Sequence, residues 1–210
     1  MQHTRICVAV LAIGVGSSAV VAGIEPESVY LWDANMTVEL APGNDPDPFN
    51  NVSTEQSLAN IIDLPSADAG ELHNQSTHVW TTGDPLGLRF DLLVEYDLTT
   101  IHFWNYHSEG FDVDDIDFTF FDANMDLVGT INDVEPALGN ATGSDSDPIF
   151  AEDIPLNFPS KVQFVDVVLS GTNTQVDFNN LGFTGTVTVI PEPATLGLLG
   201  GLGLTLLRRR

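Results

Sequence analysis

The stretch DIDFTFF, residues 115–121, alternates between polar and apolar side chains with a period of two. An extended chain places Ile116, Phe118 and Phe120 on one side and the intervening Asp and Thr residues on the other. A helix would scatter these side chains around its axis. The stretch therefore predicts a β-strand with one face in a core and the other face in water.

Similar segments recur along the chain, rich in β-branched and aromatic residues and separated by clusters of Gly, Asn, Asp and Pro. The predicted strands are SVYLW (28–32), MTVEL (36–40), GLRFDLLVEY (87–96), TTIHFWNY (99–106), DIDFTFFDA (115–123), LVGTI (127–131), KVQFVDVVLS (161–170) and LGFTGTVTVI (181–190). APGNDPDPFNN (41–51) predicts a turn-rich loop, and the spacing of Ser53 and Gln56 predicts a helical turn in 53–62. Short strands joined by polar turns indicate an all-β fold, a jelly-roll β-sandwich of two sheets.

Charge limits the classes of partner. The chain has 30 Asp and Glu against 6 Lys and Arg, a formal net charge of −24, and only Arg89 and Lys161 lie between residues 23 and 190. Because binding to phosphate backbones depends on Lys and Arg, nucleic acid and bare anionic lipid are not expected partners. Neutral ligands and divalent cations remain. The 12 Phe and 3 Trp residues supply a core without disulfides.

The N-terminal segment has the features of an export signal. Arg5 gives a short basic start, residues 6–21 are almost wholly apolar or small, and Val20 and Ala22 allow cleavage after Ala22. The only cysteine, Cys7, lies inside this segment. The predicted organisation is a signal peptide over 1–22, the first strands and a loop of the sandwich over 23–59, its core over 60–190, and a tail over 191–210.

The tail, PEPATLGLLGGLGLTLLRRR, joins a proline-rich motif, an apolar run and three arginines. The prolines end the last strand, and the run over 196–207 would extend about 18 Å as a helix against about 30 Å of hydrocarbon. This predicts a transient membrane hold, with a simple tail anchor as the alternative. The cytoplasmic stop is assigned to Arg208, Arg209 and Arg210.

The tail resembles the PEP-CTERM sorting signal of Gram-negative bacteria that produce exopolysaccharide, with Pro191, Glu192 and Pro193 at the motif that names the family. The resemblance implies that an exosortase in the inner membrane recognises and processes the tail. It also implies that the protein passes to the outer surface or the extracellular matrix.

The stretch 71–121 resembles the discoidin, or coagulation-factor type C, branch of galactose-binding-like jelly rolls. The matching residues are Ser76, Thr77 and Trp80, then Phe90, Asp91 and Leu92, then Tyr96, Leu98 and Thr99, and finally Trp104, Asn105 and Tyr106. The segments 161–171 and 179–185 resemble the late strands of that family. The resemblance implies carbohydrate or cell-surface binding through loops at one end of the sandwich.

A sugar site needs an aromatic face and a few fixed polar groups. The loops 71–80 and 105–112 carry such residues just outside the predicted strands, whereas Trp104 is expected in the core. The candidate ligand-binding residues are His73, Asn74, His78, Asn105, Tyr106, His107 and Glu109. By the same resemblance, the candidate ligands of a structural calcium ion are Asn74, Thr77 and Asn180.

Other chemistry is not predicted. His73 and His78, and likewise His102 and His107, are five residues apart, which matches no helical zinc spacing and would place each pair on opposite faces of a strand. DVDDID (112–117) is explained as the wet face of a strand, and GSDSDP (143–148) as a solvated turn rather than a weak calcium loop. No nucleophile elbow, phosphate loop or dinucleotide fingerprint occurs. We expect no enzyme; the alternatives to sugar binding are an acidic structural matrix protein that gels with calcium, or a polysaccharide hydrolase.

Replacement of Glu192 by Ala tests the sorting hypothesis. Because the exosortase is expected to recognise this motif, the variant should accumulate with membranes and be depleted from the medium relative to the wild-type chain. Cell fractionation followed by immunoblotting measures the distribution. An unchanged distribution would contradict the hypothesis.

Overall fold

The structure is a computed structural model that describes residues 27–42, 53–83, 85–140, 142–157 and 160–188. The predicted signal peptide over 1–22 and the predicted tail over 191–210 lie outside these residues, so both stay predictions. Within the described ranges, no helix combines the length and the apolar character needed to cross a bilayer.

The described residues form strands and a short 3₁₀ helix, which confirms the all-β prediction. The elements are β1 (Ser28–Leu31), β2 (Thr37–Leu40), the 3₁₀ helix (Glu55–Ile62), β3 (Val79–Thr82), β4 (Leu86–Asn105), β5 (Asp115–Phe121), β6 (Leu127–Val134), β7 (Glu152–Pro155), β8 (Val162–Ser170) and β9 (Gln175–Val187). The helical turn lies within the predicted range, but its N-cap is Thr54 with Ser57 three residues on, not Ser53 with Gln56; the Ser53 hydroxyl instead accepts from the Trp80 N–H. The four-residue strands β3 and β7 and the first residues of β9 were not predicted.

The strands predicted over 87–96 and 99–106 are one continuous strand, β4. Its pairing register shifts between Asp91 and Tyr96, and Leu93 within this interval has a φ of 64°. From Asp91 to Tyr96 β4 advances five residues while β8 advances two, and such extra residues, here with Leu93 in the left-handed conformation, bend a strand without ending it. The prediction of two strands was wrong because Asp97 and Leu98, expected in a turn, pair with Thr186 and Gly185 of β9. The bend lies instead inside the first predicted strand, where Leu93 and Val94 carry none of the Gly, Asn or Pro signals that mark one.

The bend lets β4 take part in both layers of the fold. Its first part pairs with β2 and β8, whereas its second part pairs with β7 and β9. One antiparallel layer therefore has the order β2-β4-β8-β5-β6. The other has the order β7-β4-β9, and β3 and β1 follow one another along the outer edge of β9, where β3 pairs with its first residues and β1 with its last.

The core fills the space between the layers. Phe90 of the first part of β4 and Phe183 of β9 meet edge to face, with ring centroids 5.6 Å apart. Phe118 and Phe120 are fully buried, as their alternation predicts. Each such side chain contributes about 1.5–3 kcal/mol by leaving water. Trp104 is also buried, and its indole N–H donates to the Ala69 carbonyl at 2.9 Å, as expected of a core residue.

The bend generates a test of stability. Replacement of Leu93 by Gly should raise the free energy of unfolding by about 1 kcal/mol, because a Cβ is unfavourable in the left-handed region. Leu93 is half exposed, so little packing is lost. Urea denaturation measures the change.

The neighbouring Val94→Gly variant is a matched control, since Val94 is similarly exposed and is not among the residues with positive φ. It should lower the free energy of unfolding by about 0.5–1 kcal/mol. Equal destabilisation by both substitutions would contradict the role assigned to Leu93.

Candidate functional site

The two loops that carry the predicted ligand-binding residues meet at the start of β9. Val79, the first residue of β3, pairs with Phe178 of β9, and Asn105, the last residue of β4, pairs with the same Phe178 from the other side. The segment before β3 and the segment after β4 therefore flank the same end of one layer.

A cleft with a volume of about 290 Å³ opens between these segments. Trp80 and Phe111 meet edge to face on its wall, with ring centroids 5.9 Å apart, and Tyr106 and Phe111 lie 6.4 Å apart. These three rings are partly exposed. The lining residues are His73, Asn74, Gln75, His78, Trp80, Tyr106, Phe111, Asp145 and Asp177.

A tight turn brings His73 and His78 together. The Asn74 N–H donates to Thr77 Oγ1 at 3.0 Å, and the Thr77 hydroxyl donates to the Leu72 carbonyl at 2.7 Å. The two imidazole rings then meet edge to face at 4.3 Å. The expectation that this pair lies on opposite faces of a strand was wrong, because residues 74–77 form a turn and β3 begins only at Val79.

His73 lies at the centre of the cluster. Its ring is tilted against Tyr106 at 4.1 Å, and its Nδ1–H donates to Asn179 Oδ1 at 2.9 Å. Its Nε2 lies 3.6 Å from Asp177 Oδ2. Burial lowers the pKa of His73 below its usual value, against the opposing effect of Asp177. The ring is therefore a neutral imidazole at neutral pH.

His78 and His107 each contact a carboxylate. His78 Nδ1 lies 2.8 Å from Asp177 Oδ1, and His107 Nε2 lies 2.8 Å from Asp145 Oδ1. The hydrogen bond from His107 lowers the pKa of Asp145. Burial raises the pKa of the neighbouring Tyr106 to about 12, so its hydroxyl stays protonated.

A series of hydrogen bonds through Asn179 connects His73 to the buried side chain of Glu71. The Asn179 amide donates to Glu71 Oε2 at 3.4 Å, and Glu71 forms a two-way backbone bridge with Ile149. Burial, and then the charge of Asp63, raise the pKa of Glu71 to about 8. Asn179 thus links the orientation of His73 to a carboxyl group that is protonated at neutral pH.

The remaining candidates lie elsewhere. Asn105 is buried and hydrogen bonds to Val113 and to the Ala137 carbonyl, so it closes the loop after β4 rather than lining the cleft. Glu109 lines a separate acidic depression together with Asp112. Asp112, expected on a wet strand face, precedes β5 and is buried, which raises its pKa to about 6.

The three calcium candidates do not share a contact in the described structure. Asn74 and Thr77 belong to one turn. The amide of Asn180 donates to the Asn60 carbonyl at 3.1 Å and to Asp63 at 3.3 Å, next to the 3₁₀ helix. The register of β9 against β4 shifts at Asn179, and here Asn179 reaches His73 whereas Asn180 contacts the segment of the 3₁₀ helix.

His102 is not part of the cleft. Its Nδ1 lies 2.6 Å from Asp153 Oδ1 and its Nε2 lies 2.7 Å from Thr184 Oγ1. Its contacts are therefore separate from those of His107. The residues of the site that were not predicted are Glu71, Trp80, Phe111, Asp145, Asp177 and Asn179. Glu71, Trp80 and Phe111 lay in the predicted rim loops 71–80 and 105–112 without being named as ligand-binding residues, and Asp145 lay in the segment 143–148. Asp177 and Asn179 lay in none of these segments.

No protein-family model matches the sequence, and no curated protein is significantly similar to it. Among solved structures, a SusE-like protein is 16% identical, with 77% of this chain and 68% of that chain covered and a TM-score of 0.53. An F5/8 type C domain from Bacteroides fragilis is 10% identical, with 76% of this chain and 97% of that chain covered and a TM-score of 0.50. The family 32 CBM of C. perfringens NanJ, solved in complex with galactose, is 12% identical, covers 75% and 99% of the two chains, and has a TM-score of 0.46.

The first two likenesses establish the fold. The chain forms a galactose-binding-like β-sandwich of the kind found in F5/8 type C domains, which confirms the predicted fold class for the described residues.

The raised pKa of Glu71 predicts a pH dependence of stability. The folded state keeps the proton up to about pH 8, whereas the unfolded chain releases it near the usual value of 4.5. Because the folded state binds more protons between these values, the free energy of unfolding should fall as pH rises, by up to about 1.4 kcal/mol per pH unit.

Glu71→Gln should remove this contribution and flatten the profile between about pH 5 and pH 8, as measured by urea denaturation at a series of pH values. Replacement of the exposed Glu55 by Gln is the control and should keep the wild-type slope. A wild-type slope in Glu71→Gln would show that Glu71 is already ionised in the folded protein.

Proposed function

We propose that this chain is an exported, non-enzymatic protein that binds a neutral carbohydrate in the cleft between the segment before β3 and the segment after β4. One observation carries the proposal: partly exposed faces of Trp80, Tyr106 and Phe111 border the same cleft as several fixed polar groups. Apolar ring faces and hydroxyl groups are what a sugar presents, so both kinds of surface are needed.

The polar groups of the cleft are held in position before any ligand arrives. Asp145 Oδ1 accepts from His107 at 2.8 Å and from the Tyr106 hydroxyl at 3.5 Å, while most of its side chain remains accessible. Its second oxygen is therefore available to accept from a sugar hydroxyl. Asn74 and Gln75, both exposed at the rim, offer amide donors and acceptors. Preorganised groups of this kind reduce the entropy lost on binding.

Charge favours a neutral ligand over an acidic polysaccharide. Asp145 and Asp177 both line the cleft, and the whole chain carries a net charge of −24. An anionic sugar would meet carboxylates on the wall and a repulsive field on approach. The same field disfavours nucleic acid.

The carboxylates fit binding better than glycoside hydrolysis. A hydrolase needs one carboxyl group that stays protonated near neutral pH to act as the acid. The pKa of Asp145 is instead lowered by His107, and Asp177 is buried against His78. Asp145 is therefore not placed as a protonated acid, and Asp177 is not exposed to a substrate.

The proposed site of action rests on the two terminal segments. An export signal over 1–22 and a tail over 191–210 that resembles a PEP-CTERM signal support exosortase processing after transient inner-membrane anchoring. We therefore propose the outer surface or the exopolysaccharide matrix of a Gram-negative bacterium as the location, and a self-made polysaccharide as the ligand class.

Replacement of Phe111 by Ala should weaken sugar binding, because the ring supplies wall area that is already partly exposed. Loss of an aromatic contact of about 0.5–1.5 kcal/mol corresponds to a rise in Kd of about 2- to 12-fold. The purified full-length chain is screened on a glycan array, and titration calorimetry with the best glycan then measures Kd for each variant.

Phe150→Ala is the matched control, since Phe150 is exposed and does not line the cleft; its Kd should equal that of the wild-type chain. Array binding with and without EDTA tests the expected structural calcium at the same time. Absence of selective binding at every calcium level would reject the proposal and favour an acidic matrix protein without a sugar site.

A further inference from the structure

We propose that His73, His78 and Asp177 bind a divalent first-row transition-metal ion on the inner wall of the cleft, with Zn²⁺ as its representative. A ring nitrogen of each histidine and a carboxylate oxygen of Asp177 lie within 4.8 Å of one another. All three side chains line the cleft, so an ion can enter from solvent. This inference does not depend on sugar binding.

The contact between His73 and Asp177 is the first reason. His73 uses its Nδ1–H to donate to Asn179 Oδ1, which leaves its other ring nitrogen, Nε2, facing Asp177 Oδ2 at 3.6 Å. An imidazole nitrogen and a carboxylate oxygen are both ligands that can hold a cation between them.

The length of this contact supports the same conclusion. A distance of 3.6 Å is too long for a hydrogen bond between a ring nitrogen and a carboxylate. It is close to the separation of about 3.4 Å between two ligands of a tetrahedral ion with bonds of about 2.1 Å. The spacing of His73 Nε2 and Asp177 Oδ2 therefore already suits two ligands of one ion.

The second reason is independent and concerns His78. Only 5% of this residue is exposed, and its Nε2 is buried without a hydrogen-bond partner among the described residues. Buried polar atoms are nearly always paired, so one that is not calls for a missing partner. Asp177 Oδ1 lies against Nδ1 of His78. A metal ion bound at Nε2 would supply the partner that this second nitrogen lacks.

The donor set selects the class of metal. Imidazole nitrogens suit Zn²⁺, Co²⁺ and Ni²⁺, whereas Ca²⁺ and Mg²⁺ prefer oxygen ligands throughout. Three protein ligands leave a position open to water or to a hydroxyl group of a ligand in the cleft. Asn179 is placed to fix the ring of His73 through Nδ1–H, the support that ligating histidines usually receive.

A second acidic group provides a contrast. Asp115, Asp117 and Asp133 also lie close together, but they offer only oxygen atoms and are at least partly exposed. They are expected to attract divalent cations weakly, as a solvated strand face does. They therefore serve as a control for binding that is due to surface charge alone.

The test is equilibrium dialysis of the full-length chain, stripped of metal with a chelator, against Zn²⁺ in sugar-free buffer. We expect one tight site per chain. His73→Gln, His78→Gln and Asp177→Asn should each weaken that site at least about 100-fold, because each removes a ligand. His102→Gln and Asp117→Asn are the controls, and both should retain the tight site.

Co²⁺ supplies a readout that a folding defect cannot imitate. Wild-type protein and the two controls should give visible absorption bands of Co²⁺ held by nitrogen ligands, and the ligand variants should lose these bands while keeping the circular dichroism of the wild-type fold. The proposal is overturned if the wild-type chain has no saturable Zn²⁺ site. It is equally overturned if folded His73→Gln, His78→Gln and Asp177→Asn bind Zn²⁺ as the wild type does. Because no sugar is present, either outcome leaves the carbohydrate proposal to its own test.

Discussion

The architecture depends on the bend in β4. A single strand supplies backbone hydrogen bonds to both layers, and the left-handed conformation of Leu93 turns it from one layer to the other. The bend places Phe90 opposite Phe183 and so sets the distance across the core. It also delivers the end of β4 beside β9, where the loop that carries Tyr106 can close over the histidines. Fold and site therefore rest on the same local distortion.

The cleft is organised by residues near the start of β9. Asp177 contacts both His73 and His78. Asn179 accepts a hydrogen bond from the ring of His73 and donates one to Glu71. These groups share a poorly solvated wall, where interactions between charges and dipoles are stronger than in water. The rim is different, because Phe111 and Asp145 are exposed. The site thus combines a rigid polar wall with an accessible aromatic edge, and the proposed metal and the proposed sugar would occupy different parts of it.

The sequence predicts what depends on local pattern. The alternation in 115–121 predicts β5 and its buried face. The polar loops before β3 and after β4 identify His73, His78 and Tyr106 as candidate binding residues. Contacts between distant segments leave no such trace: His73 and Asn179 are separated by 106 residues, and His78 and Asp177 by 99. The five-residue spacing of the histidine pair was misleading, because a turn stabilised by the Thr77 side chain cannot be distinguished from a strand by spacing alone. The bend at Leu93 cannot be predicted from the sequence either, because leucine is not a residue that marks turns.

The pairing of β1 with β9 has a consequence for how the molecule is made. Ser28 lies opposite Thr186, so the first and last described strands are neighbours. A chain that emerges from a ribosome or a translocation pore in order of sequence cannot complete this edge until nearly all of it is through. During such passage the sandwich would therefore remain incomplete. The pairing of β1 with β9 would complete it in one late step, after the chain has left the ribosome or the pore.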